Sequence, residues 1–213
     1  MPRKEFELAD FSTVDARNAM QVEISRSGQY SVAVEADKEI IDEVELVVSG
    51  GVLKAKFQTR LGHIGLLFKQ VPSPKLIITM PELIGIKLSA ATRAKITGFA
   101  GMDTFNAELS GAGKLTGDMD CRNLKLEGSA ASFFELAGRA EMLEVSLTAT
   151  SHASLEKMTV NDARVKLGGA STLTLDISGR LDAEVTGASS LRWTGSPTMG
   201  DIKVTGASSL SRK

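Results

Sequence analysis

Apolar and polar residues alternate with a period of two along most of this chain. Ile84, Ile86 and Leu88 bracket Gly85 and Lys87. The same spacing recurs in Phe105, Ala107 and Leu109, in Leu143, Val145 and Leu147, in Ala163, Val165 and Leu167, and in Leu181, Ala183 and Val185. Such alternation predicts strands with one face buried. Each triplet runs into a corner phrase of Gly-Ala-Ser type and then another apolar residue. The clearest copies are Val204-Thr-Gly-Ala-Ser-Ser-Leu210, Val185-Thr-Gly-Ala-Ser-Ser-Leu191, Leu167-Gly-Gly-Ala-Ser-Thr-Leu173 and Leu109-Ser-Gly-Ala-Gly-Lys-Leu115, with fainter ones from Leu88, Leu126 and Leu147. Anchors at 88, 109, 126, 147, 167, 185 and 204 lie about twenty residues apart, a period that signals a solenoid.

One coil cannot bury its own apolar face, so its neighbours must cover it and complete its backbone hydrogen bonds. The expected fold is all-β, a right-handed parallel β-solenoid (β-helix) with coils of about 19–20 residues. Gly111, Gly128, Gly169, Gly187 and Gly206 align at the corner, where glycine permits a positive φ or a close backbone approach. The residues just before the anchors read Lys87, Glu108, Lys125, Ser146, Lys166, Glu184 and Lys203, an outward column in which sign often alternates.

Residues 1–83 lack the twenty-residue phrase but still alternate, through Val22 and Ile24, Tyr30 to Val34, Val44 to Val48, and Leu53 to Phe57. Ser27-Gly28 and Ser49-Gly50-Gly51 are turn signals, Asp37 to Asp42 suits a single helical turn, and Thr59 to Pro74 reads as a loop. No linker separates the two parts. The expectation is an irregular N-terminal strand section, 1–83, that forms the first coils and caps the rod, then a regular solenoid, 84–213, together one domain.

Composition narrows the function. The chain has 213 residues and a net charge of −1. That balance argues against broad capture of nucleic acid or anionic membrane. One Trp and one Tyr leave little material for stacking platforms, and a single cysteine, Cys121, rules out an intrachain disulfide and a cysteine-based metal site. No stretch has the length of a membrane span. The first residues, Met1-Pro-Arg-Lys-Glu-Phe-Glu-Leu8, lack the apolar core of a signal peptide. On that reading the chain as it stands is cytoplasmic, or a trimmed form of an exported protein.

Candidate chemistry is sparse. Ser171, Ser189 and Ser208 form a column whose natural role is to satisfy turn backbone groups. His63 and His152 sit in unlike contexts and assemble no Ser-His-Asp set. Asp182 and Asp201 fall in one outward column on adjacent coils. Paired carboxylates can do acid–base work or hold a cation, but Arg164 shares their column and no sugar-binding set accompanies them. Thr148, Thr186 and Thr205 share a column with Glu127 and Gly168, so no flat hydroxyl plane results. The apolar loop residues Leu61, Ile64, Leu66, Leu67 and Phe68 are either an interaction patch or a plug over the solenoid end. No catalytic, cofactor or metal site is expected.

These features together resemble the putative auto-transporter adhesin head domain, the GIN domain. The resemblance runs from Phe11-Ser-Thr-Val-Asp15 through Met20-Gln-Val-Glu-Ile24, Tyr30-Ser-Val-Ala-Val34, Gly51-Val-Leu-Lys-Ala55 and Ile78-Thr-Met-Pro-Glu-Leu83 into the repeats. It implies a right-handed β-solenoid, bacterial, exported or in the cell envelope, with no catalytic motif to carry over. The function expected is a non-enzymatic structural or adhesin-like module, acting by surface binding to a cell-surface glycan or protein, or by homo-oligomerisation. Two other readings stay open: a carbohydrate-active parallel β-helix enzyme, and a polymerising cytoplasmic scaffold.

Overall fold

A computed structural model describes residues 2–58 and 72–213. The N-terminal section contributes β1 (Arg3–Phe6), β2 (Thr13–Arg17), β3 (Gln21–Arg26), β4 (Ser31–Glu35), β5 (Val44–Ser49), β6 (Val52–Phe57), β7 (Lys75–Met80) and β8 (Gly85–Ser89). Four long strands follow, β9 (Arg93–Leu109), β10 (Lys114–Gly128), β11 (Phe133–Leu147) and β12 (His152–Leu167). The chain closes with β13 (Thr172–Ile177), β14 (Arg180–Val185), β15 (Ser190–Thr194), β16 (Thr198–Val204) and β17 (Ser209–Arg212). Ile41–Glu43 forms a short 3₁₀ turn that overlaps the end of the predicted single-turn segment, Asp37 to Asp42, and runs one residue past it.

The strands build a parallel β-solenoid of about seven turns. Two ladders run along it. One stacks β3, the first halves of β9 to β12, then β13, β15 and β17. The other stacks β2, β8, the second halves of β9 to β12, then β14 and β16. At the N-terminal end the pairing turns antiparallel, β4 on β7, β1 on β4, and β5 on β6. Buried Ile40, Ile41 and Val44 join the core there.

Chain order and stacking order differ in the N-terminal section. β2 lies between β6 and β8, with Thr13 opposite both Val52 and Gly85. β3 lies between β7 and β9 in the same way, with Gln21 opposite both Lys75 and Arg93. Residues 13–26 are therefore an inserted coil inside the rod rather than its first coil.

The interior is made of in-register apolar columns. Leu115, Phe134, Ala153, Leu173 and Leu191 stack on successive coils, and all are buried. Burying each large member contributes about 1.5–3 kcal/mol. In one coil the register departs from the sequence expectation. Leu109 pairs with Gly128, and Gly128 with Leu147, so Gly128 occupies the anchor position and Leu126 lies two residues earlier. The outward column accordingly holds Glu127 where Lys125 was expected. Local packing explains the switch: a Cβ at Gly128 would lie 2.7 Å from Leu147 Cδ2 and 2.9 Å from Phe134 Cε2. The Phe134 ring takes the space that an anchor side chain fills elsewhere, and Ala153 next along its column makes room for it.

Corners come in two forms. Ala90-Ala91, Gly111-Ala112 and Ala130-Ala131 have two consecutive residues at positive φ, whereas Ala149, Gly169, Gly187 and Gly206 are single. Hydrogen-bond direction follows the form. Ala91 and Ala112 donate onward, to Gly111 and Ala130, whereas Ala170, Ala188 and Ala207 donate back, to Ala149, Gly169 and Gly187. A buried hydroxyl closes several corners from inside: Ser132, Ser151 and Ser171 Oγ each donate to the carbonyl three residues earlier, at 2.6, 2.8 and 2.9 Å.

Candidate functional site

With the interior filled, chemistry is confined to the outer faces of the ladders. On the β14–β16 side, outward positions form cross-coil ion pairs. Lys87 meets Glu108 at 2.5 Å and Lys203 meets Glu184 at 2.7 Å, while Lys125 pairs with Glu127 of its own strand at 2.7 Å. An open groove of about 290 Å³ crosses this face beside Gly85, where the missing side chain leaves a notch between Thr13 and Asn106.

Asp182 and Asp201 lie on this face. A register irregularity places Ala183 opposite Ile202 while Leu181 stays opposite Met199, so Asp182 faces Gly200 and Asp201. The Asp201 backbone N–H donates to Asp182 Oδ1 at 2.7 Å. Arg180 clasps Asp182 through Nε at 3.0 Å and Nη2 at 2.8 Å, and its Nη2 lies 3.9 Å from Asp201. The Arg180 hydrogen bond, and then that of the Asp201 N–H, hold the Asp182 carboxyl below the usual carboxylate range. Such a group stays ionised near neutral pH, so it has no proton to give as a general acid and is a weak general base. The sequence pointed to Arg164 as the neutralising charge. Arg180, two residues back on the same strand, is the closer one, and only the local side-chain geometry brings it in.

On the β13–β15 side, His152 stacks on Phe133, with centroids 5.2 Å apart and planes inclined by 17°. Lys114 Nζ caps the ring's other side, 4.6 Å from its centroid. These residues occupy one column on three successive coils. Nothing in the sequence marks this cluster, since the partners lie about nineteen residues apart and no local motif joins them. Both Phe133 ring faces are occupied, so this is an in-register ladder rather than an open platform for a sugar face.

Cys121 is buried, and desolvation, with a smaller push from Asp120, raises its thiol to about 11. Among the described residues no cluster of three His, Cys, Asp or Glu side chains gathers as a metal would require. Among them too, no helix is long and apolar enough to cross a membrane. The loop positions Leu61, Ile64, Leu66, Leu67 and Phe68, and His63 with them, lie outside the described residues.

The coil pattern agrees with a known family model, described as putative auto-transporter adhesin, head GIN domain, over residues 10–197. The chain belongs to that family. Comparison with curated protein sequences gives no match. Solved structures share the fold at low identity. A putative adhesin from Bacteroides fragilis superposes with a TM-score of 0.89 at 17% identity, covering 100% of this chain and 96% of its own. A putative lipid binding protein from Parabacteroides distasonis gives 0.77 at 15%, with 100% and 96% covered. A putative adhesin from Parabacteroides merdae gives 0.73 at 14%, with 100% and 95% covered. In this GIN-domain chain the likeness extends over the inserted N-terminal coil as well as the regular repeats.

Proposed function

We propose that this GIN-domain chain is a non-enzymatic, adhesin-like module of the bacterial cell surface, acting by binding through its outer sheet faces. The observation that carries this reading is the placement of its polar chemistry. The interior is an unbroken apolar stack, and the described grooves are open depressions over charged rows. An extended partner laid along the rod fits such a surface better than a small substrate does. The family's own description points the same way. The test is a glycan array run beside hydrolysis and lyase assays on the same glycans. Retention without turnover is expected. Turnover that disappears in Asp182→Asn with Asp201→Asn would replace this reading with the carbohydrate-active one.

A further inference from the structure

We infer that Arg93, Lys95 and Lys114 form a binding site for an acidic polysaccharide, one that carries carboxylate or sulfate groups. The inference rests on the adhesin-like reading and names a ligand class and a place for it. Arg93 and Lys114 sit directly opposite each other on adjacent coils, about 4.8 Å apart along the rod. Lys95 lies two residues on from Arg93, on the same outward face. The three cations border an open groove of about 290 Å³, with Gln21, Glu23 and Thr116 completing its walls.

Three features set this patch apart. First, among the described residues neither Arg93 nor Lys95 has a carboxylate within ion-pair distance. On the opposite ladder, cations are matched by Glu108, Glu127, Asp182 and Glu184. Second, the one carboxylate in the groove wall, Glu23, is already engaged by Lys75 at 2.9 Å. Glu135 approaches Lys114 only to 3.9 Å. The patch therefore keeps positive charge on a chain whose net charge is −1. Third, like charges directly opposite across a ladder destabilise it. The Phe133 ring and Glu135 hold Lys114 from one side, but nothing among the described residues offsets the like charge that Arg93 faces across the ladder, and an anion seated between the two would relieve the repulsion.

The shape selects the ligand. Arg93 offers a planar fork suited to two oxygens of a carboxylate or sulfate, and the lysines act as point charges. The groove is open along the rod, as an extended chain requires. No exposed apolar side chain borders it to insert into a bilayer, which argues against a lipid surface. Three cations on a net-negative chain are too few for the counterion-driven capture of nucleic acid.

The experiment is calorimetric titration at low salt with three probes: oligogalacturonate, a sulfated oligosaccharide and a neutral oligosaccharide of equal length. Vesicles with and without anionic headgroups form the second arm. The chain should bind one or both acidic oligosaccharides, with affinity falling as salt rises, and should ignore the neutral one. Arg93→Gln, Lys95→Gln and Lys114→Gln combined should weaken that binding by roughly tenfold or more. Lys203→Gln, on the far face, should leave it unchanged, and circular dichroism melting confirms that each variant folds. No binding of either acidic probe, equal binding by the triple variant, or preference for anionic vesicles would overturn the inference. Binding of bacterial or host surfaces that survives in the triple variant would overturn this site while leaving the adhesin-like reading intact.

Discussion

At the scale of single residues, the corners and the core columns set tolerances that differ between coils of the same sequence type. Gly111 and Gly169 hold the same place in the corner phrase and both have positive φ, but Gly111 belongs to the two-residue form and Gly169 to the single one. A Cβ at Gly111 would come no nearer than 3.2 Å, to the Ala90 nitrogen, and alanines already hold the same conformation at Ala90 and Ala130. A Cβ at Gly169 would lie 2.6 Å from the Ala149 carbonyl oxygen. Gly169→Ala should therefore cost about 1–3 kcal/mol and Gly111→Ala clearly less, read from urea midpoints. Gly128 poses a packing test. Gly128→Leu should destabilise by overpacking against Phe134 and Leu147, by about 1–3 kcal/mol. Adding Phe134→Ala should recover part of that loss, because the leucine then fills the space of the ring. Additive losses in that double variant would refute the exchange of volume. Cys121, with its thiol raised to about 11, should resist a thiol reagent near pH 8 in the native protein and react promptly in denaturant.

At the scale of the coil, inside and outside separate cleanly. Val185→Asp should be severely destabilising, since it buries an unpaired carboxylate at a position with no exposure. Its neighbour Glu184 faces solvent and pairs with Lys203, so Glu184→Ala should stay within about 0.5 kcal/mol. Equal midpoints for the two variants would refute the register. Acid should act on the same strands. The Lys203 hydrogen bond, then its charge, holds the Glu184 carboxyl below its ordinary 4.5, and Asp182 is lowered by Arg180. Lowered groups add stability above their unfolded values and lose it as pH falls through the folded ones. Both pairs are exposed, so the effect is modest and screened by salt. Amide exchange of β16 should accelerate more than that of β11 when pH drops below about 4.

Much of this scale was legible in the sequence, and the reasons are physical. Period-two alternation fixed the strands, and the recurring Val-Thr-Gly-Ala-Ser-Ser-Leu phrase fixed most of the register, because each coil repeats one chemical environment. The exception, Gly128 in place of Leu126, arises from volume exchange with Phe134 across a corner, which periodicity cannot report. The clasp of Arg180 on Asp182, the Phe133–His152 stack and the like-charged Arg93–Lys114 pair were equally hidden. Each depends on which side chains the stacking sets beside one another, and nothing in the local sequence marks those neighbours.

For the whole molecule, the inserted coil matters more than the regular repeats. A solenoid is nearly one-dimensional, so loss of a terminal coil removes one interface, whereas loss of an internal coil removes two and interrupts the core. β2 and β3 come early in the chain yet lie internally, with neighbours on both sides. Val14, Ala16, Val22 and Ile24 are buried between them. Removing residues 1–26 should thus prevent cooperative folding of everything that follows. Removing 198–213 should leave a folded rod that melts at a lower temperature. The same topology makes folding slow. Residues 13–26 must pair with 52–56 and 75–80 on one side and with 85–89 and 93–97 on the other, contacts of long sequence separation whose closure entropy is met before they are rewarded. Refolding should show a slow phase, and a circular permutant that begins after residue 26 and carries 1–26 after 213 through a flexible linker should lose it only if local chain order sets the barrier. If the barrier is the insertion itself, the permutant folds as slowly as the parent. The stacking favours the second outcome, since the coil must enter between two neighbours whichever end carries it. A permutant that refolds much faster would show that the order of the chain, rather than the closure of the stack around β2 and β3, limits folding.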